Sequence, residues 1–410
     1  MNFFRTTFKN LGWAYALRIG FRLIGFVRIA ILARLLFPAQ FGDFGIVAIT
    51  LSLLEILTET GINSILIQQK DHFESYIDTA WLISILRGLV ISVLMATAAP
   101  LISGFFRAPA ALPLLYLSSL IPFVRGFINP ASIRFQKDLR FHIEFFYRQA
   151  INLSEAVAVV ILALAFHSAS SLVLSLIISA AVEVLLSHLF IRPRPAVKWQ
   201  VPIAWDIFHR GKWITGFGIL DYIYTTGDNI TVGRVLGQAP LGIYQNAYSL
   251  STLPISEISD VFYTVTFPVY VQMRDYPKRL CRAVIKGAVL LSAILLVASL
   301  GLYFLADPLI RLLLGPRWLA AIPVVKTLAF LGFFRGTANI FNSFFMAVQK
   351  TKYVTYITLA STLGLLATIY PFTLHYGIVG AATSAMFGAI IALPFTLYLA
   401  FRTLQPLSHD

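Results

Sequence analysis

Apolar residues run in long blocks from one end of the chain to the other, each block about 20 residues or more, the length that crosses a bilayer core as a helix. Prolines, charges and short polar clusters divide the blocks. Those breaks predict twelve spanning helices, over residues 11–36, 42–66, 77–104, 110–129, 144–166 and 170–190, then 213–237, 241–269, 284–306, 322–348, 354–374 and 377–401. Alternation of period two is absent, so the fold class is an all-α polytopic membrane protein. The basic amino terminus leads into a stretch carrying Arg18, Arg22 and Arg28, which reads as a first spanning helix and not as a cleaved leader.

Composition sharpens this reading. Of 410 residues, 58% are apolar and 12% charged, whereas a soluble domain carries about a quarter charged residues. Mean hydropathy is +0.79. Twelve crossings consume about 240 residues and leave only short connections, which excludes a water-soluble enzyme and any sizeable soluble domain. Cys281 is the single cysteine, so no internal disulfide exists.

Charge then supplies orientation. The net charge is +14. With both termini cytoplasmic, 19 of the 32 basic residues fall in inner connections and five in outer ones, the asymmetry that the positive-inside rule requires. Most of the basicity is therefore a matter of topology and lipid surface, and a nucleic-acid partner is not expected because the charge is scattered over seven inner segments.

The chain also repeats itself. At an offset of 200, Ala33-Arg34-Leu35-Leu36 lies over Gly233-Arg234-Val235-Leu236, and Ala39 and Gly42 lie over Ala239 and Gly242. At an offset of 210, Ala111, Pro113, Phe123, Arg125, Gly126 and Asn129 match Ala321, Pro323, Phe333, Arg335, Gly336 and Asn339. A period of half the chain signals duplicated lobes. Six spans separate equivalent points, so the two copies run the same way through the membrane. The expected organisation is an amino-terminal six-helix lobe over 1–190, a cytoplasmic linker over 191–212 and a carboxy-terminal six-helix lobe over 213–410, enclosing a central cavity. Parallel repeats around a central site are a transporter architecture.

Ionisable residues at membrane depth are costly and mark pathways or pairs. The bases here are Arg18, Arg22, Arg28, Arg87, Arg125, Arg148, Lys326 and Arg335, and the acids are Glu55, Glu59, Glu155, Glu183, Asp221, Asp228, Glu257 and Asp260. The first lobe holds two more bases than acids, the second two more acids than bases. Helical spacing groups them: Arg18, Arg22 and Arg28 share a sector, Glu55 and Glu59 are four apart, and Arg148, Asn152 and Glu155 share a face. Asp221, Tyr224, Thr225 and Asp228 form one stripe, and Arg335, Asn339 and Asn342 another.

The favoured reading is a hydrated cavity whose arginines (Arg18, Arg22, Arg28, Arg87, Arg125, Arg148 and Arg335) bind an anionic head group, because a guanidinium fork holds two phosphate oxygens and keeps its charge. Asn152, Glu155, Asn339 and Asn342 would add polar walls. Glu55, Glu59, Asp221 and Asp228 are candidates for proton or sodium coupling, the competing reading being that they simply pair with arginines. No catalytic set, no cofactor motif and no metal-ligand spacing appears.

Ala33-Arg34-Leu35-Leu36 through Gly42, Glu59-Thr60-Gly61-Ile62, Leu66-Ile67-Gln68, Asp228-Asn229 and Leu241-Gly242-Ile243-Tyr244-Gln245-Asn246-Ala247-Tyr248 resemble the polysaccharide biosynthesis (Wzx-type) flippases of the multidrug/oligosaccharidyl-lipid/polysaccharide exporter superfamily. The resemblance covers essentially the whole chain. It implies a two-lobed bundle in the bacterial or archaeal cytoplasmic membrane and movement of undecaprenyl-diphosphate-linked oligosaccharide between leaflets, coupled to an ion. A polysaccharide polymerase and glycosyltransferases would be its partners. A multidrug exporter of the same superfamily or a lipid II-type flippase remain the alternatives. A membrane-embedded glycosyltransferase would need an acidic catalytic loop, and the longest inner loop has only Asp206.

Overall fold

The computed structural model describes residues 20–68 and 73–409, all of the regular structure being helical. A first helix, α1, is described over 20–35. It is followed by α2 (Pro38–Leu57), α3 (Ile62–Gln68), α4 (Phe73–Phe106), α5 (Ala111–Ser118), α6 (Leu120–Gly126), α7 (Arg134–Lys137), α8 (Phe141–Phe166) and α9 (Ser170–Phe190). Then come α10 (Val201–Leu236), α11 (Gln238–Gln272), α12 (Pro277–Leu309), α13 (Ala321–Ala347) and α14 (Thr351–His409). Each of the twelve segments expected from hydropathy falls on this set, α14 providing two of them.

Seven of the described helices are long and apolar enough to cross a membrane by themselves, and the bent pair over 111–126 and 130–137 makes an eighth. Helix α14 bends at Gly377, whose φ of 60° is left-handed, close to the break expected between 374 and 377. Helices α10 and α11 are long enough but polar, because they carry Asp221, Asp228, Glu257 and Asp260. The chain is thus a multi-pass membrane protein.

The helices gather into two compact units, one over Met1–Ile219 and the other over Leu220–Asp410. In the first, Val47, Leu51, Ile91, Met95, Leu115 and Val173 make one apolar cluster from α2, α4, α5 and α9. Helices α4 and α6 cross almost backbone to backbone. A Cβ on Gly88 would lie 2.3 Å from the Pro122 carbonyl oxygen, and one on Gly126 would lie 2.9 Å from that of Ser84. Small residues let membrane helices approach in this way. In the second unit α11, α12, α13 and α14 share a cluster built on Ile255, Leu295, Ile340, Phe344 and Leu399.

Two expectations are corrected. The second span does not run to residue 66: α2 stops at Leu57 and the chain restarts at Ile62. Gly61 sits at φ 65°, and its N–H donates to Glu59 Oε1 at 2.9 Å, so the Glu59-Thr60-Gly61 segment terminates one helix and sets the start of the next. The stretch 191–212 is also not a loop throughout. It is helical from Val201 onward, because Ile203, Ala204 and Ile207 form a stripe at i, i+1, i+4 spacing that buries with Phe73 and Ile77 of α4. The boundary between units accordingly lies inside α10.

Candidate functional site

In the first unit a cavity of about 460 Å³ is lined by Glu55, Glu59 and Thr60 from the end of α2, Arg87 from α4, Arg125 from α6, Arg148 from α8 and Glu183 from α9. The broken end of α2 builds much of it. Arg87 donates through Nη2 to the Glu55 carbonyl at 2.6 Å and to Glu59 Oε2 at 3.2 Å, and through Nε to Thr58 Oγ1 at 3.2 Å. A cation here adds a charged donor to a helix carbonyl that otherwise accepts, among the described residues, only from Thr58 Oγ1 at 3.4 Å, and it opposes the negative end of the helix dipole. Arg125 Nη1 donates to Glu55 Oε1 at 3.1 Å. Arg148 Nε donates to Glu144 Oε1 at 2.8 Å, and that oxygen also accepts from Gln136 Nε2 at 2.6 Å.

The Arg125–Glu55 pair is open enough to exchange. The Arg125 and Glu55 side chains keep 40% and 35% of their surface exposed, and exposed pairs hold weakly. Glu144 is buried. Glu183 makes no hydrogen bond or ion pair to another described residue, although Arg125 and Arg148 both lie within its electrostatic reach. Thr60 Oγ1 in the same wall has no described partner.

The other first-unit candidates scatter. Arg28 of α1 pairs with Glu155 of α8 beside an apolar groove lined by Leu23, Val27, Leu153 and Val157. Arg22 is half-buried on α1, and Arg18 lies outside the described residues. The stripe of Arg148, Asn152 and Glu155 is split: Arg148 faces the cavity, Glu155 serves Arg28, and Asn152 Nδ2 is buried without a described partner. The expected surplus of positive charge is also absent from the cavity wall, where three arginines meet Glu55, Glu59 and Glu183. The acids lie on other helices than the bases, which helical spacing within one span could not reveal.

The second unit holds a smaller pocket, about 230 Å³, lined by Tyr224, Arg335, Asn339, Asn342, Thr358 and Ser361 among others. Arg335 donates through Nη1 to the Tyr248 hydroxyl and stacks over the Tyr224 ring at 4.5 Å, a cation–π contact. Tyr244 donates to Asp228 Oδ2 at 2.8 Å, and the Asn229 N–H donates to Asp228 Oδ1 at 2.7 Å. Asn342 Nδ2 donates to Asn339 Oδ1 at 2.9 Å. Arg335 Nε and Asn342 Oδ1 are buried without described partners. Asp221 does not join this site: it is exposed, while Asp228, two helical turns on, is 1% exposed.

Sequence reasoning placed Tyr224 in a polar stripe but gave no site role to Tyr244, Tyr248 or Glu183. The i, i+4 spacing of Tyr244 and Tyr248 is the one local signal that could have found the aromatic cage. Among the described residues no cluster of three or more His, Cys, Asp or Glu is placed to hold a metal.

Comparison with known proteins settles the family. The pattern of the polysaccharide biosynthesis protein family matches residues 31–323. The chain is 25% identical over 329 residues to the lipopolysaccharide biosynthesis protein WzxC of Escherichia coli (strain K12), covering 80% of this chain and 67% of that one. It is 28% identical over 335 residues to the succinoglycan biosynthesis transport protein ExoT of Rhizobium meliloti (strain 1021), covering 79% and 66%. The chain therefore spans about two thirds of the length of both relatives. Its fold is similar to that of the lipid II flippase MurJ in an inward closed conformation, with a TM-score of 0.81 at 14% identity over 97% of this chain and 90% of that one. With a helical fold of this kind and a family pattern that extends over well over half its length, the chain belongs to the polysaccharide biosynthesis protein family.

Proposed function

We propose that this chain moves polyprenyl-diphosphate-linked oligosaccharide units from the inner to the outer leaflet of the cytoplasmic membrane, for assembly of a surface polysaccharide. The observation that carries the reading is the first-unit cavity, where Arg87, Arg125 and Arg148 present guanidinium groups within spanning helices of a family member. A diphosphate cannot cross hydrocarbon unshielded. Guanidinium groups can donate to its oxygens in place of the carboxylates that now hold them, and charge-assisted, forked hydrogen bonds favour that exchange. The transport named for ExoT supports movement rather than sugar chemistry as the activity.

The same reading puts both termini in the cytoplasm, on the strength of the basic inner connections. Coupling to protons or sodium is assigned to Glu55 and Glu59 in the first-unit cavity wall and to Asp228, which is held by Tyr244 beside the second site. A polysaccharide polymerase and glycosyltransferases are its functional partners. A deletion strain tests the proposal: lipid-linked oligosaccharide, identified by mass spectrometry, accumulates and surface polysaccharide falls, and both are restored by the wild-type chain. An unchanged lipid-linked pool with intact surface polysaccharide overturns it.

A further inference from the structure

Among the described residues around the first-unit cavity the charges do not cancel. Arg87, Arg125 and Arg148 face Glu55, Glu59 and Glu183 in the wall, and Arg148 is already held by the buried Glu144 behind it. One negative charge is left over, and it belongs to Glu183. This carboxylate sits on α9 with Arg125 of α6 and with Arg148 and Tyr147 of α8 inside its field. It takes no ion pair with a described residue, and the Tyr147 hydroxyl has no described hydrogen-bond partner either. The remaining ionisable groups near it, Arg87 on α4 and Glu55 and Glu59 on α2, are committed to each other or to Arg125. His188, the other titratable group on α9, is directed elsewhere, to its own helix and towards Trp81.

We infer that Glu183 is an electrostatic gate on this cavity: charged, it repels an entering diphosphate, and protonated, it no longer does, so that Arg125 and Arg148 can exchange Glu55 and Glu144 for the diphosphate. The inference rests on the proposed diphosphate site and adds the residue that controls it. Its sign is fixed by Coulomb's law. Each proton taken by Glu183 removes one negative charge from a wall that must receive an anion, so substrate and proton enter this cavity together rather than in competition. One charge at such a range, in a partly hydrated site, changes anion affinity about tenfold.

The test uses the full chain in lipid nanodiscs, with farnesyl diphosphate as the probe and titration calorimetry at a higher and a lower proton concentration, about pH 6 and about pH 8. The probe's own second ionisation also falls near this range, so the quantity read is the ratio of variant to wild-type affinity, from which that ionisation cancels. Glu183→Gln, similar in size and uncharged, is expected to bind about tenfold more tightly than wild type at the higher pH and to approach it at the lower. Glu183→Asp keeps the wild-type pH profile, which a purely packing role would not distinguish from Gln. If Arg125→Ala with Arg148→Ala weakens binding while Glu183→Gln follows wild type at both pH values, the gate is refuted and the diphosphate site stands. If wild type shows no saturable binding, both are refuted.

Discussion

The two polar sites carry matching segments, Arg125-Gly126 in the first unit and Arg335-Gly336 in the second, yet they treat their arginine in opposite ways. Arg125 meets a carboxylate from another helix across a wet cavity, with both side chains partly exposed. Arg335 is wrapped by phenols, one under its plane and one at its tip, and its compensating charge, Asp228, is fully enclosed by hydrogen bonds from Tyr244 and Asn229. An ion pair open to solvent can be exchanged for a ligand; a cation locked among aromatic rings is built to stay. The same guanidinium stands at matching positions of the two units, and its neighbours decide which one remains available.

Four sets of substitutions test the contrast. Arg125→Ala should reduce flipping about 100-fold, the scale on which losing one partner of a close charge pair disturbs recognition, with normal protein in the membrane fraction. The swap Arg125→Glu with Glu55→Arg restores the pair but not transport, and recovered transport would make the pair structural only. Arg335→Ala should instead lower stability by about 3 kcal/mol, because it strands the enclosed Asp228. Adding Asp228→Asn should recover most of the loss in a thermal or denaturant melt. Gly88→Ala pushes a methyl into the Pro122 carbonyl and should cost about 1 to 3 kcal/mol, distorting the α4–α6 crossing beside the cavity and leaving the second site intact. Arg311→Ala breaks the exposed pair with Asp307, and the melting temperature should not change.

Hydropathy located the helices well. The α9 boundaries, 170–190, agree with the structure, since polar residues and Pro193 bracket an uninterrupted apolar run. It failed where polarity and helix end do not coincide: the Gly61 turn lies inside an apolar block, and α10 begins beneath a basic surface. The membrane-depth arginines were legible as a class, but their partners were not. Arg125 finds Glu55 across a separation of 70 residues, Arg28 finds Glu155 across 127, and no periodicity encodes such distances. Glu183 was visible as a lone acid in an apolar run, a pattern that gives no hint of which helix will face it. Tyrosines pass for interfacial residues, so the cage around Arg335 emerged only with the structure.

Under the proposed function, the pairing of Arg87 and Arg125 with glutamates has a consequence for selectivity. A bare basic hollow open to the cytosol would fill with free phosphate and nucleotides, which are abundant there and small enough to enter. Because each guanidinium already has an occupant, such solutes gain little by displacing it, whereas a ligand tethered by a long isoprenoid tail arrives at high local concentration and can win the exchange. Self-occupation thereby serves as a filter that recognises cargo by how it is delivered.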